Sequence, residues 1–127
     1  MITEDYVSFE TAKLLSNKGF NEPTLAYAYG NDMVAYYSQP RVTDDFKVEA
    51  GRYPLPTLQM AMKWLREVHG LFISIGNDDL DYNWQIFDIK NRTKDLDPTC
   101  LTDSYAGHRK YDKACEAAIK YCLKNLI

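Results

Sequence analysis

The chain has 127 residues, 46% hydrophobic and 26% charged, a composition that excludes a disordered polymer and suits one domain spanning residues 1–127. A chain of this length can bury roughly two-thirds of its unfolded surface without metal or disulfide. The net charge of −3 and pI near 5.3 argue against a general nucleic-acid binder, which wants a basic field, and are too mild for a nucleic-acid mimic.

A first helix is expected over residues 8–18. Ser8 can cap it, Val7 and Ala12 form a weak hydrophobic staple, Leu14 and Leu15 give the apolar stripe, and Gly19 ends it. Residues 25–37 alternate with period two as Leu25-Ala26-Tyr27-Ala28-Tyr29, then Gly30-Asn31-Asp32, then Met33–Tyr37, which predicts a β-hairpin. Residues 38–55 hold Pro40, Gly51, Pro54 and several charges; they read as a long loop with an irregular strand around Phe46–Val48.

Pro56 to Gly70 carries the clearest helix signal, with Thr57 as N-cap. Leu58, Ala61, Met62, Leu65, Val68 and His69 share a face that Met60 and Trp64 widen to about 200°, against the ~100° of an ordinary surface helix. Leu71–Ile75 follows as a strand, Gly76–Asp79 opens a turn, and Asn83–Lys90 is the partner strand. Its apolar residues on both faces indicate either a central strand covered twice or a bulge near Ile86. Residues 91–108 read as polar and turn-rich. A last helix runs from Lys110 to Leu126, with Tyr111, Ala114, Cys115, Ala118, Cys122 and Leu126 inward and Glu116–Lys120 paired outward. No side chain suited to capping precedes Tyr111. The expected order is α-ββ-α-ββ-α: an α+β fold with a four-stranded, mainly antiparallel sheet packed by three helices.

Cys115 and Cys122 fall seven apart on one helix, about 10.5 Å at 1.5 Å per residue, beyond the ~7 Å reach of a disulfide. With Cys100 the count is odd, which points to a reducing, cytoplasmic setting in which the Asn91-Arg92-Thr93 sequon is accidental. The acidic N-terminus has no apolar signal-type core, and no run approaches the ~20 apolar residues of a membrane span.

Three segments carry a resemblance: Met1–Leu15, Pro56–His69 and Glu116–Ile127, with Trp84-Gln85-Ile86-Phe87 beside them. Together they resemble short uncharacterised proteins of gut Bacteroides-type bacteria and their prophages. More distantly, the pattern is similar to the small α-β-α sandwich domain of phage proteins. The resemblance implies a bacterial cytoplasmic protein, cargo of a mobile element, and brings no catalytic residue.

Chemistry-bearing motifs are sparse. His69 and His108 lack metal-type spacing, and His69 suits the negative end of its helix, so no metal or cofactor is expected. Asp78, Asp79 and Asp81 lack the ligand spacing and closing Glu of a calcium loop and read as a solvated turn. Cys115 and Cys122 read as small core residues, leaving Cys100 as the thiol with access to reagents. No catalytic residue is assigned.

The candidate binding surface is the tyrosine hairpin: Tyr27, Tyr29, Tyr36 and Tyr37, flat amphipathic rings suited to protein contact. The alternative for these rings is that half face the core. The favoured expectation is a non-enzymatic accessory protein that binds another macromolecule, a protein or a second copy of itself, with no membrane contact. One rival is a small enzyme using Cys100 or a carboxylate with His69 or His108. Another is a single-strand nucleic-acid binder using the tyrosines with Arg41, Arg52, Lys63 and Arg66.

Overall fold

A computed structural model describes residues 2–90, 99–103 and 107–127, with the backbone alone at Thr99 and Asp103. The Asn91 sequon and Pro98, with residues 104–106 of the expected turn-rich stretch, lie outside the described residues. The chain divides into two units, Met1–Met60 and Ala61–Ile127.

The first unit opens with α1 (Phe9–Asn17). Ser8 caps it as expected, its Oγ accepting the Thr11 N–H at 3.2 Å. At the other end Gly19 takes φ +95°, and the Gly19 and Phe20 N–H groups donate to the Ser16 and Leu15 carbonyls at 3.1 and 3.0 Å. This paired closure satisfies two orphan carbonyls and folds Phe20 back beside Leu15, both buried. Next come β1 (Thr24–Gly30), β2 (Met33–Arg41), the one-turn α2 (Asp45–Glu49) and β3 (Tyr53–Leu55), forming an antiparallel sheet in the order β2-β1-β3.

The second unit takes over within α3 (Leu58–His69) and continues with β4 (Leu71–Asp78), β5 (Asp81–Asp88), β6 (Thr99–Asp103) and α4 (Tyr111–Tyr121), whose last turn widens into a π-helical stretch, Cys122–Leu126. Its strands form an antiparallel sheet in the order β4-β5-β6. β4 and β5 pair without a slip from Leu71↔Asp88 to Asp78↔Asp81. Leu71, Ile73 and Ile75 therefore share a face with Ile86 and Trp84. α4 covers that face: the Tyr121 ring lies 5.5 Å from Trp84 and the Tyr111 ring 5.7 Å from Tyr82.

The mixed α+β class stands, but the four-stranded sheet and the α-ββ-α-ββ-α order do not: there are four α-helices and two three-stranded sheets among the described residues. Each hairpin acquires a third strand from a stretch that reads as loop. β3 is only Tyr53-Pro54-Leu55, and Pro54, lacking an N–H, fits an edge strand. β6 is bulged, with Leu101 left over between the Ile86↔Thr102 and Phe87↔Cys100 pairs. The dual apolar character of β5 thus reflects both a central position and a slip at Ile86. Around Phe46–Val48 there is no strand but α2, too short to show helical periodicity; its cap is Asp44, whose Oδ1 accepts the Lys47 N–H at 2.9 Å. The turn expected at Gly76–Asp79 also moves: β4 runs on to Asp78 and the chain reverses at Asp79-Leu80, with Asp79 at φ +42°.

The long helix forms where its pattern places it. Thr57 Oγ1 accepts the Met60 N–H at 3.2 Å, and Gly70 ends it at φ +65°, where a Cβ would collide with the Lys90 side chain. Its buried face is narrower than expected: Leu58, Ala61, Met62, Trp64 and Leu65 are buried, while Met60 and Val68 are exposed. α4 has Lys110 at its cap position with no side-chain bond, as its sequence indicates. Among the described residues no helix is long and apolar enough to cross a membrane.

Leu65, fully buried, and Val68, 55% exposed, differ by one turn of α3. Leu65→Ala is expected to cost about 2–5 kcal/mol in urea unfolding and Val68→Ala no more than roughly 0.5 kcal/mol; comparable losses for the two would contradict this placement.

Candidate functional site

The tyrosines of the first unit are sorted by the pleat. Ala26 and Ala28 of β1 point to one face of the sheet, together with Leu55 and Tyr53 of β3 that pair with them. α1 lies on this face, its Phe9 ring 5.8 Å from Tyr53. Tyr27 and Tyr29 consequently project from the opposite face. On β2, Ala35 pairs with Tyr27, so Tyr37 joins the Tyr27 side while Tyr36, opposite Ala26, falls on the helix side. Of the four tyrosines expected to act together, the structure groups three. Tyr36 stands apart with its ring 6.3 Å from Tyr6, exposed for two-thirds of its surface at 67%.

Within the group, Tyr27 and Tyr37 are diagonal cross-strand neighbours with ring centroids 5.2 Å apart, and Tyr29 lies 6.4 Å from Tyr27. Such pairs contribute about 0.5–1.5 kcal/mol beyond area burial. Two cations lie against them. Lys47 of α2 places Nζ 5.0 Å from the Tyr27 centroid and 4.9 Å from that of Tyr37, and the Arg41 guanidinium is 5.4 Å from Tyr37. Neither cation has a carboxylate within ion-pair distance among the described residues. The Tyr37 hydroxyl shares a hydrogen bond of 3.1 Å with Thr43 Oγ1, a buried side chain just before α2. Lys47 and Thr43 were not legible as site residues because they sit in the stretch read as loop. The signal that could have found Lys47 is Asp44 three residues before it, the spacing of an N-cap and the amide it accepts.

The other candidates are dispersed. Cys100 is exposed on β6, while Cys115 and Cys122 are buried. Burial pushes the Cys122 thiol up to about 12, so at neutral pH it stays protonated and is a poor nucleophile. Asp78, Asp79 and Asp81 cluster at the β4–β5 turn. His108 forms a β-bridge with Tyr82, each N–H donating to the other's carbonyl at 2.7 Å. Arg66 is 3.7 Å from the Glu67 carboxylate. Among the described residues no group of three or more His, Cys, Asp or Glu side chains is placed to hold a metal ion.

His69 ends α3 with its ring 4.7 Å from Trp64, edge to face. Its Nε2 is buried without a hydrogen-bond partner among the described residues. Burial, and secondarily the nearby Lys90 ammonium, hold its pKa below the ordinary value of 6.5. Both causes disfavour the imidazolium, so they outweigh the attraction of the helix end.

No family model matches the chain, and neither a curated protein nor a solved structure shows significant similarity to it.

The His69 environment sets a sign for pH dependence. Above about pH 6.5 the imidazole is neutral in both folded and unfolded chains and contributes nothing. As pH falls through that value the unfolded chain gains a proton that native His69 resists. Stability should therefore drop across this range and level off below the native pKa, and His69→Gln should lose that component. Urea midpoints over a pH series check it; a His69-dependent rise in stability on acidification would contradict it.

Proposed function

We propose that this is a non-enzymatic accessory protein of bacterial or prophage origin, and that the face carrying Tyr27, Tyr29 and Tyr37 docks on another protein. The observation supporting this reading is the inverted alternation of β1. Its alanines lie toward α1, and its tyrosines are left on a face where Leu25 and Tyr29 are 47% and 45% exposed. Large rings already ordered by contact with one another lose little conformational freedom on binding, which is why such residues anchor protein interfaces. Lys47 and Arg41 at the rings add directional charge. Lys47 also occupies the two ring faces that a nucleobase would need for stacking, which favours a protein partner over single-stranded nucleic acid. The bacterial or prophage origin rests on the resemblance of the three helical segments.

The test is capture from an extract of the native host by the wild-type chain, by the double variant Tyr27→Ser/Tyr29→Ser and by Tyr111→Ser as a control in the second unit. A protein retained by wild type and control but lost, by at least about tenfold, with the double variant supports the proposal; tenfold corresponds to roughly 1.4 kcal/mol. Equal capture by all three would contradict it. So would retention of a single-stranded oligonucleotide that weakens steeply with salt.

A further inference from the structure

The β1/β2 ladder breaks at its far end. Between the Ala26↔Tyr36 and Thr24↔Arg41 pairs, two steps along β1 face five along β2, so Tyr37–Pro40 leaves the ladder. Bulges of this kind re-aim side chains and end pairing. Beside the break lies a cleft of about 180 Å³ within the first unit, walled by Tyr6, Pro23, Leu25, Pro40, Pro56 and Met60. This is well below the roughly 300 Å³ at which small-molecule sites begin, so it has room for a side chain rather than a cofactor. Its walls offer little polar recognition. The three prolines have no N–H, the Thr24 hydroxyl already donates to the Ala26 carbonyl at 2.7 Å, and Thr57 Oγ1 already accepts from Met60.

Two features describe what would enter. The first is an unpaired stretch of backbone. Tyr6 faces Thr57 in an antiparallel bridge closed by the Val7 N–H to Pro56 carbonyl bond at 3.1 Å and the Leu58 N–H to Asp5 carbonyl bond at 2.9 Å. In such a pair the N–H and C=O of Tyr6 point away from Thr57, and they meet no partner among the described residues. An extended peptide can hydrogen-bond there as an added strand. The second is charge. Exposed Glu4 lines the cleft, and exposed Asp5 and Glu22 adjoin its lining residues in the chain. Arg41, next to Pro40 in the chain, is held over the Tyr37 ring. The chain's own most exposed apolar residues, Ile2, Leu80 and Phe46 at 100%, 84% and 79%, adjoin Glu4 and Asp5, Asp78, Asp79 and Asp81, and Asp44 and Asp45, so a second copy presents the wrong charge.

We propose that this cleft binds one aliphatic side chain of an extended partner peptide that carries lysine or arginine two residues to either side. The acidic mouth selects the flanking cations, the proline–tyrosine walls take the apolar group, and the Tyr6 backbone aligns the peptide. The site shares Leu25 with the edge of the tyrosine face but uses none of the rings of Tyr27, Tyr29 and Tyr37, and stands whether or not those rings bind a protein.

The experiment is an amide-detected NMR titration of the full chain with acetyl-Arg-Pro-Leu-Pro-Lys-amide. Its counterparts carry Glu at both charged positions or Ser in place of Leu. The basic peptide should shift Tyr6, Thr24, Leu25, Thr57 and Met60 with a Kd of about 1 mM, and each counterpart should bind at least about fivefold more weakly. Glu4→Lys, a surface change, should weaken the basic peptide and strengthen the acidic one, while Tyr29→Ser leaves the titration unchanged. Equal binding of the three peptides, shifts centred on other residues, or no shift at about 5 mM basic peptide would overturn the proposal.

Discussion

The alternation of β1 governs the first unit. Ala26 and Ala28 are buried to 0% and 1% exposure, and their small side chains let α1 approach the sheet closely. A strand has only two faces and successive residues must alternate between them. Placing alanines under the helix therefore leaves Tyr27 and Tyr29 no choice but the other side. The usual arrangement, with large apolar groups inward, is reversed, and the surface area of two tyrosines is committed outward by the packing need of a nine-residue helix.

That face is not left bare. Tyr37 crosses from β2 to meet Tyr27, and α2 swings Lys47 over both rings. Each exposed cation–ring contact is worth about 0.5–1 kcal/mol, enough to order the side chains. The second unit follows the more familiar rule. Trp84 and Ile86 point toward α4, whose alanines and buried cysteines pack closely over them. Cys115, Cys122 and His69 are explained by packing: the Cys122 thiol and the His69 imidazole are groups that burial has made chemically quiet.

How much of this was readable depended on signal length. α1, α3, α4 and the two hairpins each span enough residues to show a period, and Ser8, Thr57 and the terminal glycines marked helix ends at single-residue precision. α2 and β3, of five and three residues, are too short to show any period. β6 is hidden by a bulge that shifts its alternation midway. Those omissions explain why the sequence pattern gives one four-stranded sheet where the described residues form two sheets of three. The tyrosines were legible as a cluster, but the one-residue difference between Tyr36 and Tyr37 acquires meaning only once the register against β1 is known. Lys47 and Thr43 were invisible because their element was. Val68 and Met60 show the opposite error: a helical wheel measures how apolar a face is, not how much of it is covered.

The decisive measurement compares the two faces of β1 directly. Ala26→Leu and Tyr29→Ser should be unfolded in urea side by side. The account predicts that Ala26→Leu, which forces extra methyl groups beneath α1, loses about 1–3 kcal/mol, while Tyr29→Ser, which gives up one half-exposed ring contact, loses clearly less, about 0.5–1 kcal/mol. A well-tolerated leucine at position 26 together with a strongly destabilising serine at position 29 would mean that the tyrosines, not the alanines, form the core, and the account would fail.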